Sequence, residues 1–184
     1  MNTAWIWIVI TATGLMSACS HDSQRENKAV KPFSDFDLLT VAQSPCLFDC
    51  PVFELNIHGD GRIRHSGPAF DNTGGPVESR TDRDGLMQLA NALRSARIDE
   101  MRDRYQTEED GCAHHMSDMP TLHFMVIRGQ GNRIKRVTLD VGCMGLDVPT
   151  ERIKTLTEAI DLVAGTGALL EKRKRVVESD KTSS

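Results

Sequence analysis

The sequence predicts an α+β fold: an antiparallel sheet built from hairpins in the order β-β-β-α-β-β-α, with two helices packed on one face. Three observations carry this. Short apolar runs come in adjacent pairs joined by Gly-rich turns, at residues 52–58 with 62–66 and at 122–127 with 134–141. Two longer stretches repeat their apolar residues at helical spacing. The helices do not alternate with single strands, which disfavours a doubly wound parallel sheet.

The elements follow in order. Residues 36–41 (Phe-Asp-Leu-Leu-Thr-Val) read as a first strand. In 52–58, Phe53, Leu55 and Ile57 alternate with Glu54, Asn56 and His58, so one face is expected to be buried and the other wetter. Gly59-Asp60-Gly61 is a tight turn, and 62–66 returns as its partner strand. Residues 68–76 read as a loop. A helix is expected to begin at Thr81, with Thr81-Asp-Arg-Asp84 as its capping pattern and Leu86, Leu89, Ala90, Leu93 and Ala96 along one side. The polar stretch 103–119 reads as a long loop holding Cys112. After the second hairpin, Pro149 and Thr150 open a helix with Ile153, Leu156, Ile160 and Val163 on one side, and Gly165 should stop it. Leu89, Leu93, Leu156 and Ile160 are the proposed cover of the sheet.

Residues 1–18 stand apart. They carry no charged side chain and lead into Ser17-Ala18-Cys19. The apolar run from Ala4 to Leu15 is shorter than the about 20 residues of a spanning helix. The pattern reads as a cleaved bacterial lipoprotein signal. Lipid, palmitate included, would then sit on Cys19 and hold the chain to a membrane, each buried methylene contributing about 0.8 kcal/mol. Ser20 rather than Asp follows Cys19, which favours the outer membrane and a periplasmic domain. Residues 19–34 are polar and read as a flexible tether, 35–168 as a single α+β domain, and 169–184 as a charged tail that frays.

Acidic side chains outnumber basic ones, 26 to 22, which argues against a nucleic-acid partner. Trp5 and Trp7 both fall in the signal, so a sugar platform of exposed Trp is disfavoured. With Cys19 committed to lipid, Cys46, Cys50, Cys112 and Cys143 remain. An even number of cysteines in an oxidising compartment predicts two disulfides. Three pairings are possible. Pro45 and Pro51 bracket the first two cysteines and favour a turn there. A turn brings their Cα atoms within the roughly 4.4–6.8 Å a bridge needs. The favoured pairing is Cys46–Cys50 with Cys112–Cys143.

The run Cys46-x-x-x-Cys50-Pro51-Val52-Phe53, with Gly59-Asp60-Gly61 and Gly67 after it, resembles a bacterial family known as domain of unknown function 6438. Asp118-Met119-Pro120-Thr121 is similar to that family's Asp-x-Pro-Thr before the next strand. Residues 156–161, followed by Ala164-Gly165-Thr166, look like its closing helix. The resemblance covers about residues 36–167. It implies a fold and an envelope setting and no activity. The loop around Cys112-Ala-His114-His115 and the basic tail depart from it.

Cys112, His114, His115, His123 and Cys143 have the side chains that zinc prefers. Their spacing is not that of a finger, however, and thiols outside the cytoplasm oxidise. His123 reads as a hydrogen-bonded sheet residue. Cys46-Leu-Phe-Asp-Cys50 has three intervening residues and leads into a strand, so it reads as a staple rather than a redox pair. No Gly-x-Ser-x-Gly elbow occurs. Glu108-Glu109-Asp110 reads as a solvated loop, Gly129-Gln-Gly131 as a hairpin turn, and Lys172-Arg-Lys-Arg175 as a solvated helix end. The expectation is a non-enzymatic envelope lipoprotein, without catalytic residues, metal or cofactor, that binds another envelope protein. The competing expectation is a metal-dependent hydrolase or metal-binding protein using the His114–His115 loop.

Overall fold

The computed structural model describes residues 33, 35–47, 49–71 and 74–182, with side chains as far as 175. The signal read at 1–18, Cys19, and all of the tether except Phe33 lie outside the described residues. The elements are β1 (Leu38–Gln43), β2 (Phe53–His58), β3 (Arg62–Ser66), α1 (Pro68–Asp71), β4 (Val77–Arg80), α2 (Arg83–Ser95), β5 (Arg104–Tyr105), β6 (His114–His115), β7 (Thr121–Arg128), β8 (Arg133–Asp140), β9 (Cys143–Met144), α3 (Thr150–Ala164) and α4 (Thr166–Thr182). Single 3₁₀ turns cover Ile98–Glu100 and Glu108–Asp110.

Seven strands form one sheet in the order β4-β3-β2-β1-β7-β8-β5. Its neighbours are antiparallel except β5, which runs parallel to β8. Strands β6 and β9 pair separately. Register explains the core. Val41 stands opposite Leu55 and Phe124, Leu55 opposite His65, and Phe124 opposite Val137. All five are buried, so one row crosses five strands on a single face. Leu39, Ile57, Ile63 and Val126 form the next row. Over these rows lie Leu86, Leu89, Ala90 and Leu93 of α2 and Ile153, Leu156 and Ile160 of α3, all buried in the same cluster. The four residues proposed as cover are among them.

Several sequence readings are corrected. The helix expected at Thr81 begins two residues later, because the Thr81 N–H still donates to Gly61 O across the β3–β4 ladder. Asp82 is the cap instead, its Oδ1 accepting the Gly85 N–H at 2.9 Å. Gly85 is needed there, since a Cβ would meet Thr81 Oγ1 at 2.0 Å. The loop read at 68–76 contains α1, whose Phe70 is fully buried, and β4 follows at its end. The loop read at 103–119 contains β5 and β6. The β-β-β-α-β-β-α order is therefore extended by α1, β4, β5, β6, β9 and α4.

Gly165 stops α3 as expected, in a left-handed conformation (φ 69°), its N–H donating to Asp161 O. The chain then restarts as a helix where a fraying tail was read. The Asp161 carboxylate accepts the Gly167 N–H at 2.6 Å, an anion at the new N-terminus. Arg173 holds α4 down by donating to Phe70 O and Gly75 O while stacking over the Phe70 ring. No helix among the described residues is long and apolar enough to cross a membrane.

Candidate functional site

The residues singled out from the sequence are spread over the fold. Cys46 and Cys50 are bridged with Cα atoms 5.6 Å apart, in the loop between β1 and β2. Cys112 and Cys143 are bridged at 5.1 Å, both buried, and fix the β6–β9 ribbon to the core. These are the favoured pairings. Both thiols of the candidate zinc set are thereby consumed. The histidines do not converge either. His114 and His115 are successive strand residues and point to opposite sides. The His115 ring meets Asp140 Oδ2 at 2.9 Å, and the same carboxylate accepts the Gly142 N–H. His123 meets Thr138 Oγ1 on the sheet at 3.3 Å, a sheet contact of the kind read from its sequence. Among the described residues no group of three or more His, Cys, Asp or Glu is placed to hold a metal ion. In the basic run, Arg173 is turned inward onto α1, and Lys174 pairs with Asp49 at 3.3 Å.

The sheet face opposite the helices is the larger feature. Its central row is Arg136, Met125, Thr40, Asn56, Arg64 and Glu78, one residue from each of six strands. Thr138, His123, Ala42, Glu54 and Ser66 form the row beside it. None of these side chains is buried, and no described helix covers them. The middle is knit together: Thr40 Oγ1 donates to Asn56 Oδ1 at 2.7 Å, and Asn56 Nδ2 donates to Glu54 Oε1 at 2.6 Å. Strand geometry thus presents polar groups on a rigid, pre-organised platform.

At the β3–β4 end this face is arginine-rich. A cleft of about 340 Å³ is lined by His58, Arg62, Arg64, Glu78 and Arg80, among others. Arg62 pairs with Asp60 at 2.7 Å. Burial alone would raise the Asp60 pKa, but hydrogen bonds from Arg62 and its charge outweigh that and hold the carboxyl below its usual value. Arg80 donates to the neutral Asp60 carbonyl at 2.9 Å. The Arg64 side chain has no hydrogen bond or ion pair among the described residues, its backbone being paired in the β2–β3 ladder. The sequence reading missed this cluster because residues 77–80 were not read as a strand. The alternation Arg62-Ile63-Arg64-His65 already puts two arginines on one face.

A second missed residue is His65. It is fully buried, its Nε2 lying 3.0 Å from Thr166 Oγ1 and its ring 5.3 Å from that of Phe70. Its Nδ1 has no hydrogen-bond partner among the described residues. Burial pushes its pKa below that of an ordinary imidazole, and the Asp161 charge and the Val77 backbone oppose this only in part. His65 joins β3 to the start of α4 from the covered side.

Fold and surface together define a disulfide-stapled α+β domain with one sheet face roofed by helices and the other open. The sequence profile of a family described as a domain of unknown function, DUF6438, matches residues 37–164, and the chain belongs to that family. Among curated proteins no significant match is found.

Proposed function

We propose that this protein is a non-enzymatic lipoprotein of the bacterial cell envelope whose open sheet face binds another envelope protein. Lipid on Cys19 anchors it, in the outer membrane with the domain facing the periplasm. The observation that carries the binding role is the polar, uncovered face of a sheet whose other side packs against α2 and α3. A face built this way holds its side chains in fixed register without contributing to the core. The anchor rests on the Ser17-Ala18-Cys19 ending, and two disulfides suit an oxidising compartment.

Site-specific photocrosslinking in intact cells tests the binding role. A probe at Asn56, central on the open face, should capture a discrete protein partner. A probe at Leu162, which is 75% exposed on α3, should not. Capture from neither position, or equally from both, would refute the reading.

A further inference from the structure

The β3–β4 end of the open face combines two unsatisfied features. The first is charge. Arg62 stands directly opposite Arg80 across the ladder, and Arg64 follows two residues along on the same face. The Thr81 N–H donates to Gly61 O, so 61 and 81 are a hydrogen-bonded pair. Alternation makes 62/80 and 64/78 the closer, non-hydrogen-bonded pairs, with Cα atoms about 4.5 Å apart. Like charges at that spacing are destabilising. Among the described residues only the Asp60 carboxylate, on Arg62, pairs with the cluster. Glu78 faces Arg64 in register without forming an ion pair among the described residues.

The second feature is the backbone. β4 is an edge strand, and Glu78, Ser79 and Arg80 are all exposed. In non-hydrogen-bonded pairs the N–H and C=O groups point away from the neighbour. Those of Glu78 and Arg80 therefore point out of the sheet edge, where no described residue takes them.

We propose that β4 and the Arg62, Arg64 and Arg80 cluster receive an extended, carboxylate-bearing segment of a protein partner, which adds to the sheet as a strand beside β4. This deepens the open-face reading and rests on it. The added strand satisfies the outward backbone groups, and its carboxylates meet guanidinium groups that present planar, paired donors. A phosphate or an anionic headgroup would satisfy the arginines but leave the backbone edge open. A second copy of this chain would bring another set of arginines to the same end. An acidic polypeptide answers both features.

The test is fluorescence anisotropy with the full chain and three labelled peptides. One alternates Asp with Thr, one replaces every Asp by Lys, and one is the acidic peptide N-methylated at alternate residues so that it cannot pair with an edge. The acidic peptide should bind, and the other two should bind at least about tenfold more weakly. Arg64→Glu with Arg80→Glu should abolish binding, and the milder Arg64→Gln with Arg80→Gln should weaken it. Circular dichroism checks that these exposed substitutions leave the fold intact, and the Gln pair decides if the Glu pair unfolds. Three results overturn the proposal: equal binding of the acidic and N-methylated peptides, binding unchanged in both double variants, or no peptide binding. Binding of phosphatidylglycerol vesicles or inorganic phosphate in place of the peptide overturns it too, as does self-association through β4 in sedimentation. Failure of this inference is separable from failure of the open-face reading. A partner still captured from Asn56 in the Arg64→Glu, Arg80→Glu chain retains the face and removes the edge.

Discussion

Replacing Leu55 by alanine should cost about 3 kcal/mol of stability, while the adjacent Asn56→Ala should cost about 1 kcal/mol. Leu55 is 1% exposed, and β1 and β3 clamp its strand on both sides. Truncation removes about three buried carbons at roughly 0.8 kcal/mol each. It also opens space beneath an adjoining, largely apolar groove of about 290 Å³, lined by Val41, Phe53, Leu122, Ile160 and Leu170, among others. A strand hydrogen-bonded on both sides cannot collapse into the space, so a cavity penalty adds to the transfer loss. Asn56 points the other way. It loses one accepted and one donated hydrogen bond, to Thr40 and Glu54, in a half-buried setting where water replaces part of each. Thermal melts followed by circular dichroism should show midpoints lowered by about 10 °C and about 3 °C. Equal losses would refute the reasoning, because they would mean that the open face is covered or that the strand is read in the wrong period.

Cys112→Ala with Cys143→Ala should destabilise more than Cys46→Ala with Cys50→Ala in urea titrations. The bridges close separations of 31 and 4 residues, and the chain-entropy relation gives about 3.7 and about 2 kcal/mol. His65 has a folded pKa below its unfolded value. Its contribution is therefore fully present above the unfolded pKa near 6.5 and is lost as pH falls toward the lower folded value. Denaturation midpoints of wild type should drop from pH 8 to pH 5 by more than those of His65→Phe, and parallel curves would remove His65 as the cause. Arg173→Ala should cost about 1–2 kcal/mol and loosen α4 selectively. Hydrogen exchange should then quicken in 166–175 and not in 150–164.

Legibility in the sequence depended on length and period. β2 was readable because six residues alternate strictly, and α2 and α3 because each repeats an apolar residue over three turns or more. α1 is a single turn with one buried residue, Phe70, and offers no period at all. β4 was hidden because three of its four residues are exposed, and β5 because a two-residue strand parallel to β8 is created by its neighbour. α4 was misread because its charge looked like a solvated tail. Its stability comes from tertiary contacts, Thr166 to His65 and Arg173 to α1, which local composition does not report. The bridges were legible because four cysteines of the domain left few pairings. The arginine cluster was not, because its members converge only once β4 is known to pair with β3.

The division between the two faces makes the functional proposal accessible to mutation. Leu39, Leu55, Ile57, Phe124 and Val126 supply core from the covered side, whereas Arg64, Glu78 and Arg136 on the open side are exposed and bury nothing. Substitutions on the open side should therefore change binding at nearly constant stability. Geometry also limits where a partner must be found. Phe33 is buried and packs edge-on against Phe36 beside the start of β1, so the domain proper begins there. With lipid on Cys19, as proposed, fourteen residue steps separate anchor and domain, a reach of at most about 50 Å. A partner on the open face must then present its acidic segment within that reach plus the width of the sheet from β1 to β4, about 15 Å more. Lengthening the tether with Gly-Ser insertions should leave capture from Asn56 intact if the partner is free in the periplasm, and should weaken it if the partner is fixed in the same membrane. Capture that rises with tether length would mean that the natural reach restrains the encounter rather than promotes it.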